Sequence, residues 1–209
     1  MTGDGNPPGL ILAGGLSRRM GRDKASALLA GRPMIDRIAE RLRPQVSSLA
    51  LNACEGFAGV RDLPLVPDLH MDRPGPLAGV LAGLRHAAAL PDAPGHLLTV
   101  PADTPFLPTD LVLRLVGQAD DRTRIVLASS AGQIHPVIAL WPLSLADDLE
   151  GWMASSDNRR LQSYIARHPA IAIDFALVDT PAGTLDPFFN VNTPEDLATA
   201  ERFIEVLSR

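Results

Sequence analysis

Leu10-Ile11-Leu12-Ala13-Gly14-Gly15-Leu16-Ser17-Arg18-Arg19-Met20-Gly21-Arg22-Asp23-Lys24 decides how the chain is read. Its apolar opening, Leu10-Ile11-Leu12, has the brevity and composition of a buried strand. The adjacent glycines Gly14 and Gly15 let the backbone approach a ligand with no Cβ in the way. Consecutive main-chain N–H groups in such a turn form an anion-binding nest, and Arg18, Arg19, Arg22 and Lys24 add cations to the same loop. A strand that ends in a cationic glycine loop suits a polyphosphate. The spacing is not that of the P-loop, G-x-x-x-x-G-K-[ST], because Gly21 is followed by Arg22-Asp23 and Lys24 by Ala25. It is not G-x-G-x-x-G either.

Outward from this loop, short apolar runs alternate with longer amphipathic stretches. Ser48–Ala53, Leu63–Val66, His96–Val100, Ile125–Ala128, Pro136–Leu140 and Ala170–Phe175 read as strands. Helices are expected from Pro33 to about Leu42, over Pro76–Leu90, over Pro108–Gly117 with Thr109 as N-cap and Gly117 as stop, over Leu143–Trp152 and Asn158–Ala166, and over Pro194–Leu207. This alternation predicts a single-domain α/β fold with a mainly parallel, doubly wound (Rossmann-like) sheet. In such sheets ligands sit beyond the carboxyl ends of the strands. Residues 1–8 are expected to be a disordered leader and 9–209 the domain.

Composition narrows the class. A length of 209 residues allows one larger domain. The net charge of −5 argues against nucleic acid as the main partner and makes the basic loop stand out. One cysteine, Cys54, leaves no internal disulfide and no multi-thiolate zinc site. No apolar run approaches the ~20 residues of a membrane span, and the first residues lack a signal-peptide apolar region. A cytoplasmic protein is expected, with no membrane partner.

The chemistry-bearing residues fall at strand ends. Asp103 lies in Pro101-Ala102-Asp103-Thr104-Pro105, directly after the apolar Leu97-Leu98-Thr99-Val100. A hard oxygen ligand there suits Mg²⁺, which takes one or two carboxylates plus phosphates; the alternative is an Asx-turn residue. Asp68, after Leu65-Val66-Pro67, suits a sugar hydroxyl or the metal, or is a solvated loop carboxylate. Asn52 offers a donor and an acceptor to a base or ribose, or is a turn asparagine. Arg73-Pro74-Gly75-Pro76-Leu77-Ala78-Gly79 opens a helix, read either as an anion site or as a tight loop. In Asn190-Val191-Asn192-Thr193-Pro194-Glu195-Asp196, Thr193 through Asp196 read as a helix start, which leaves Asn190 and Asn192 on one side of an extended segment. His135-Pro136 begins a strand; a lone histidine is more often structural than catalytic. No Ser-His-Asp or Cys-His arrangement is evident.

Together these motifs resemble the molybdenum cofactor guanylyltransferase family: L-A-G-G-x-S-R-R-M-G-x-D-K at 12–24, G-P-L-A-G at 75–79, P-A-D-T-P at 101–105, H-P at 135–136 and N-V-N-T-P-E-D at 190–196. The resemblance implies a nucleotidyltransferase that moves GMP from GTP to the terminal phosphate of molybdopterin, releases pyrophosphate and requires Mg²⁺. Carried over by position, Leu12, Ala13, Gly14, Gly15, Lys24, Asn52, Asp68 and Asp103 would bind GTP, with Asp103 also holding Mg²⁺. Asn190 and Asn192 would face the pterin substrate. Residues 9 to about 120 would form mainly the GTP half and the remainder mainly the molybdopterin half. Asp103, Lys24 and Arg19 would carry catalysis, with Arg19, Arg22 and Lys24 stabilising the pyrophosphate. Implied protein partners are other molybdenum cofactor biosynthesis proteins and recipient molybdoenzymes. Ala25 departs from the glycine common after the lysine in the family, without removing the cation. The competing readings are a cytidylyltransferase acting on molybdopterin or another small phosphate, and a non-catalytic carrier of nucleotide or cofactor. A dehydrogenase would share the fold class, but its glycine spacing is absent.

Overall fold

In the computed structural model, which describes residues 5–13, 27–53, 62–69, 75–91, 95–119, 123–155 and 160–208, the apolar run after Pro8 forms β1 (Gly9–Leu12), buried along its whole length. A short hairpin follows, β2 (Leu28–Leu29) and β3 (Arg32–Pro33), then α1 (Met34–Leu42), β4 (Leu49–Asn52), α2 (Pro76–Ala88) and β5 (His96–Pro101). The second half contains α3 (Leu111–Val116), β6 (Ile125–Ser130), β7 (Gln133–Pro142), α4 (Ala146–Ser155), α5 (Leu161–Ile165) and β8 (Ala170–Asp174). A second small hairpin, β9 (Val178–Thr180) and β10 (Gly183–Leu185), precedes the closing α6 (Pro194–Leu207). Among the described residues, no helix is long and apolar enough to cross a membrane.

The central sheet has the order β4-β1-β5-β7-β6-β8. β1 pairs parallel with β4 and β5, and β6 pairs parallel with β8. β7 runs antiparallel to both β5 and β6. The sheet is therefore mainly parallel, as the alternation predicts, with β7 reversed. The reversal comes from a two-residue turn: Ala131 (φ 48°) and Gly132 (φ 74°) are both left-handed, the geometry of a tight hairpin. Ala30 (φ 49°) and Gly31 (φ 75°) make the same turn between β2 and β3. The usual sequence signal for this turn is Asn-Gly or Asp-Gly. Alanine rarely enters the left-handed region, so neither hairpin is legible from Ala-Gly alone.

Alternation along β1 sends Ile11 to one face and Leu10 and Leu12 to the other. Ile11 joins Leu98, Val100, Val126 and Leu140 beneath α1, α3 and α6. Leu10 and Leu12 join Ala50, Leu97, Ile125 and Trp141 beneath α2, α4 and α5. Helices thus cover both faces, which is why β1 and the Ile125–Ala128 part of β6 are continuous apolar runs without polar alternation.

Several boundaries differ from the sequence reading. Leu63–Val66 contributes only a single bridge, Leu51 to Leu65, and not a strand. The helix expected from Pro108 starts at Leu111, and Thr109 is not its N-cap; Asp110 holds that position and makes no side-chain cap. The cap comes from elsewhere, since the buried Gln45 accepts from Val112 N through Oε1 (3.1 Å) and donates to Pro108 O through Nε2 (2.9 Å). Gly117 closes α3 in right-handed geometry (φ −60°), so it is not a left-handed stop. Helix α4 begins at Ala146, after a 3-10 turn at Leu143–Leu145. Within the expected leader, Pro7 and Pro8 are buried, and their carbonyls accept from Ser47 N (3.0 Å) and Leu98 N (2.9 Å).

Candidate functional site

Parallel pairing brings three strand ends together. Leu12 stands opposite Asn52 on β4 and opposite Pro101 on β5. Beyond them the chains remain tied, with Ala13 N donating to Asn52 O (2.9 Å) and Ala102 N to Leu12 O (3.1 Å). Leu12, Ala13, Asn52 and the Pro101–Pro105 turn therefore share the carboxyl edge of the sheet, where this class of fold binds ligands. Gly14, Gly15, Arg18, Arg19, Arg22, Lys24, Cys54, Arg73 and Pro74 lie outside the described residues.

Asn52 is buried (2% exposed) and spends both protons of its amide nitrogen inside the protein, on Val66 O (2.9 Å) and Asp68 Oδ1 (2.8 Å). It therefore sets the position of Asp68, which is half-buried at this edge. The room for Asn52 comes from α2. A Cβ on Gly79 would stand 2.5 Å from Asn52 Oδ1 and 2.8 Å from Leu12 Cδ2. The glycine of the G-P-L-A-G stretch thus has a packing reason that spacing alone does not reveal. Gly79→Ala is expected to lower stability by about 1–3 kcal/mol, the usual scale of overpacking a tight core, as read from the denaturant midpoint. An unchanged midpoint would show that this contact is loose.

Asp103 and Asn190 are also brought together. Val191 N donates to the main-chain oxygen of Asp103 (2.9 Å). Thr104, fully buried, donates from Oγ1 to Asn190 Oδ1 (2.6 Å). The segment before α6 is thereby docked on the loop after β5. Val191 is buried while Asn190 and Asn192 are exposed, as expected for an extended segment. Asn192 is fixed through its main chain, whose N–H donates to Asp196 Oδ2 (2.9 Å). Asp196 also accepts from Thr193 N (2.9 Å), and Thr193 Oγ1 accepts from Asp196 N (3.1 Å), which completes a capping box. Thr104 was not among the sequence candidates; its only signal was its place inside the P-A-D-T-P turn.

His135 lies near the start of β7, half-buried. Burial lowers its pKa from the ordinary histidine value, and the charge of Asp186 partly opposes this. Its Nε2 lies 2.7 Å from Ser130 Oγ, and Ser130 in turn contacts Asp186. Serine, histidine and aspartate do meet here, but not as a nucleophile triad. Ser130 sits between the other two and is fully buried, with no route to a substrate.

Among the described residues, no group of three or more His, Cys, Asp or Glu forms a metal cage. Among the described residues, Asp103 follows β5 at the carboxyl edge and supplies a hard carboxylate oxygen, which fits a Mg²⁺ that fills its remaining positions with phosphate and water.

The chain is similar to known proteins over nearly its whole length. The molybdenum cofactor guanylyltransferase of Rhizobium meliloti (strain 1021) is 49% identical over 203 residues, covering 96% of this chain and 93% of that protein. That of Sinorhizobium fredii (strain NBRC 101917 / NGR234) is 49% identical over 205 residues, covering 97% and 94%. In fold, the chain is similar to molybdopterin-guanine dinucleotide biosynthesis protein A from Archaeoglobus fulgidus (TM-score 0.73, 22% identity, 95% of this chain and 98% of that one). It is also similar to 2-C-methyl-D-erythritol 4-phosphate cytidylyltransferase from Thermus thermophilus (TM-score 0.68, 17% identity, 97% and 100%). The profile of the MobA-like NTP transferase domain matches residues 9–171, from β1 into β8. With a family model that matches most of its length and relatives of 49% identity that it covers almost completely, the chain belongs to the MobA-like NTP transferase domain family.

Proposed function

We propose that this chain is a molybdenum cofactor guanylyltransferase, which transfers GMP from GTP to the phosphate of molybdopterin and releases pyrophosphate. The observation that carries this reading is the 49% identity to proteins of that name across nearly the whole of both chains. The fold alone does not choose the base, because a cytidylyltransferase shares it at 17% identity. The relatives at 44–49% identity carry the guanylyl name, which favours GTP over the cytidylyl alternative.

The reaction follows from charge and position. An oxygen of the acceptor phosphate attacks the α-phosphorus of GTP. A new P–O–P bond forms, the bond from the α-phosphorus to the bridging oxygen breaks, and pyrophosphate leaves with that electron pair. The acceptor oxygen is already ionised at neutral pH, so the chain needs no strong general base. The task is to hold two anions in line and offset their charge. In this reading Arg19, Arg22 and Lys24 meet the leaving pyrophosphate, while Leu12, Ala13, Gly14 and Gly15 line the nucleotide with main-chain groups. Asn52 and Asp68 stand on the nucleotide side and Asn190 and Asn192 on the pterin side, dividing residues 9 to about 120 from the remainder. Asp103, with Asp68 beside the same strand ends, would hold Mg²⁺. What that ion supplies when bound is charge neutralisation at the phosphates. A cytoplasmic location and hand-over to other cofactor-synthesis proteins and recipient molybdoenzymes belong to the same reading.

The test is nucleotide choice. With Mg²⁺ present, GTP is expected to bind in preference to CTP and ATP, and to release pyrophosphate only when molybdopterin is added. Preference for CTP would move the chain to the sister activity. Binding without pyrophosphate release would make it a carrier, and absence of nucleotide binding would overturn the reading.

A further inference from the structure

Ser130, at the end of β6, His135 on β7 and Asp186, just after β10, form one hydrogen-bonded chain. Ser130 Oγ lies 2.8 and 2.9 Å from the two carboxylate oxygens of Asp186 and 2.7 Å from His135 Nε2. A carboxylate can only accept, so the single hydroxyl proton of Ser130 goes to Asp186. Ser130 Oγ then accepts from His135, which must carry its proton on Nε2. The His135 ring also packs against Phe188, with centroids 4.8 Å apart. Asp186 is the first residue of the run that leads to Asn190 and Asn192, and its Oδ1 accepts from Phe188 N (2.8 Å). The far end of that run is fixed by Val191 N on Asp103 O and Thr104 on Asn190. The segment 186–191 is thus held at two points, one on the β6–β7 hairpin and one on the loop after β5.

The geometry points to His135 and Ser130 as positioning residues for the acceptor phosphate substrate, acting through Asp186 to set where Asn190 and Asn192 stand relative to Asp103. This rests on the guanylyltransferase reading for the identity of the acceptor. Among the described residues, Ser130 and His135 bond with Asp186 and pack on Phe188, whereas Leu12, Asn52 and Asp68 lie on β1, β4 and the segment after it. Loss of the latch therefore acts on one substrate and not the other. Burial, which favours neutral His135, is consistent with a neutral Nε2–H donor.

Three measurements on the full chain test this. Ser130→Ala and His135→Leu are expected to raise KM for molybdopterin about tenfold, the scale of one lost hydrogen bond, with KM for GTP essentially unchanged. His135→Gln, which can return an N–H at the Nε2 position, restores most of the loss. A parallel rise in both KM values, or no rise in either, overturns the assignment. In wild-type protein, ¹⁵N spectra are expected to show the Nε2–H tautomer of His135; the Nδ1–H form would break the chain. In Ser130→Ala, which preserves the packing best, amide exchange should quicken at Phe188 and Val191 while β1 amides keep their protection. Unchanged exchange at both sites overturns the latch. If wild-type protein makes no guanine dinucleotide, the functional reading and the acceptor role fall together, and exchange and tautomer still decide whether the latch exists.

Discussion

Asp103→Ala is expected to lose at least ~10²-fold in kcat/KM for guanylyl transfer, the scale of removing one preorganised charge contact (about 2.7 kcal/mol), while remaining folded. The substitution leaves in place the main-chain contact of this residue with the segment before α6. Its main-chain oxygen accepts from Val191 N (2.9 Å), and its neighbour Thr104 holds Asn190 (2.6 Å). Only the carboxylate at the strand end is lost. In the proposed mechanism that carboxylate holds the cation that offsets the phosphates, so its removal weakens both Mg²⁺-dependent nucleotide binding and turnover. Steady-state kinetics with GTP and molybdopterin, beside a thermal melt of each protein, provide the check. Near-normal turnover in the folded variant would remove the metal assignment.

Trp141→Ala is expected to cost about 3–5 kcal/mol, the range for truncating a large buried aromatic. Trp141 is fully buried on β7, opposite Leu97 of β5. Its indole N–H donates to Thr99 Oγ1 (2.8 Å), and Thr99, also fully buried, donates to Val137 O (2.7 Å). Truncation leaves a cavity and removes one partner from a buried hydroxyl. Domains of this kind hold only about 5–15 kcal/mol in all, so the variant would be marginal. The denaturant midpoint at constant m-value measures the effect. Trp141→Phe keeps most of the volume and should lose far less. A change below about 1 kcal/mol in Trp141→Ala would mean that the ring is not packed as described.

Much of the architecture is legible in local pattern. The helix Pro194–Leu207 begins where Pro at the first position, Thr193 before it and two acids after it say it should. Leu10-Ile11-Leu12 is a strand covered on both faces, and its apolar continuity says so. The reversed β7 is not legible, because Ala131 occupies a turn position normally marked by Asn, Asp or Gly. The start of α3 is not legible either, because its cap is Gln45, 67 residues away, and not Thr109.

The candidate site divides along the same line. Local sequence marked the candidate residues, and the resemblance they carry supplied the chemistry: a glycine stretch with four nearby cations, an aspartate after an apolar strand, and paired asparagines before a capped helix. Each of these signals lies within a few consecutive residues, which is why local sequence can display it. Only the tertiary structure decided which of them work together. Thr104 meets Asn190 across 86 residues, Ser130 meets Asp186 across 56, and Asn52 holds Asp68 in space that Gly79 leaves open. Such pairs are set by strand order and by the packing of helices against the sheet, which no local spacing encodes.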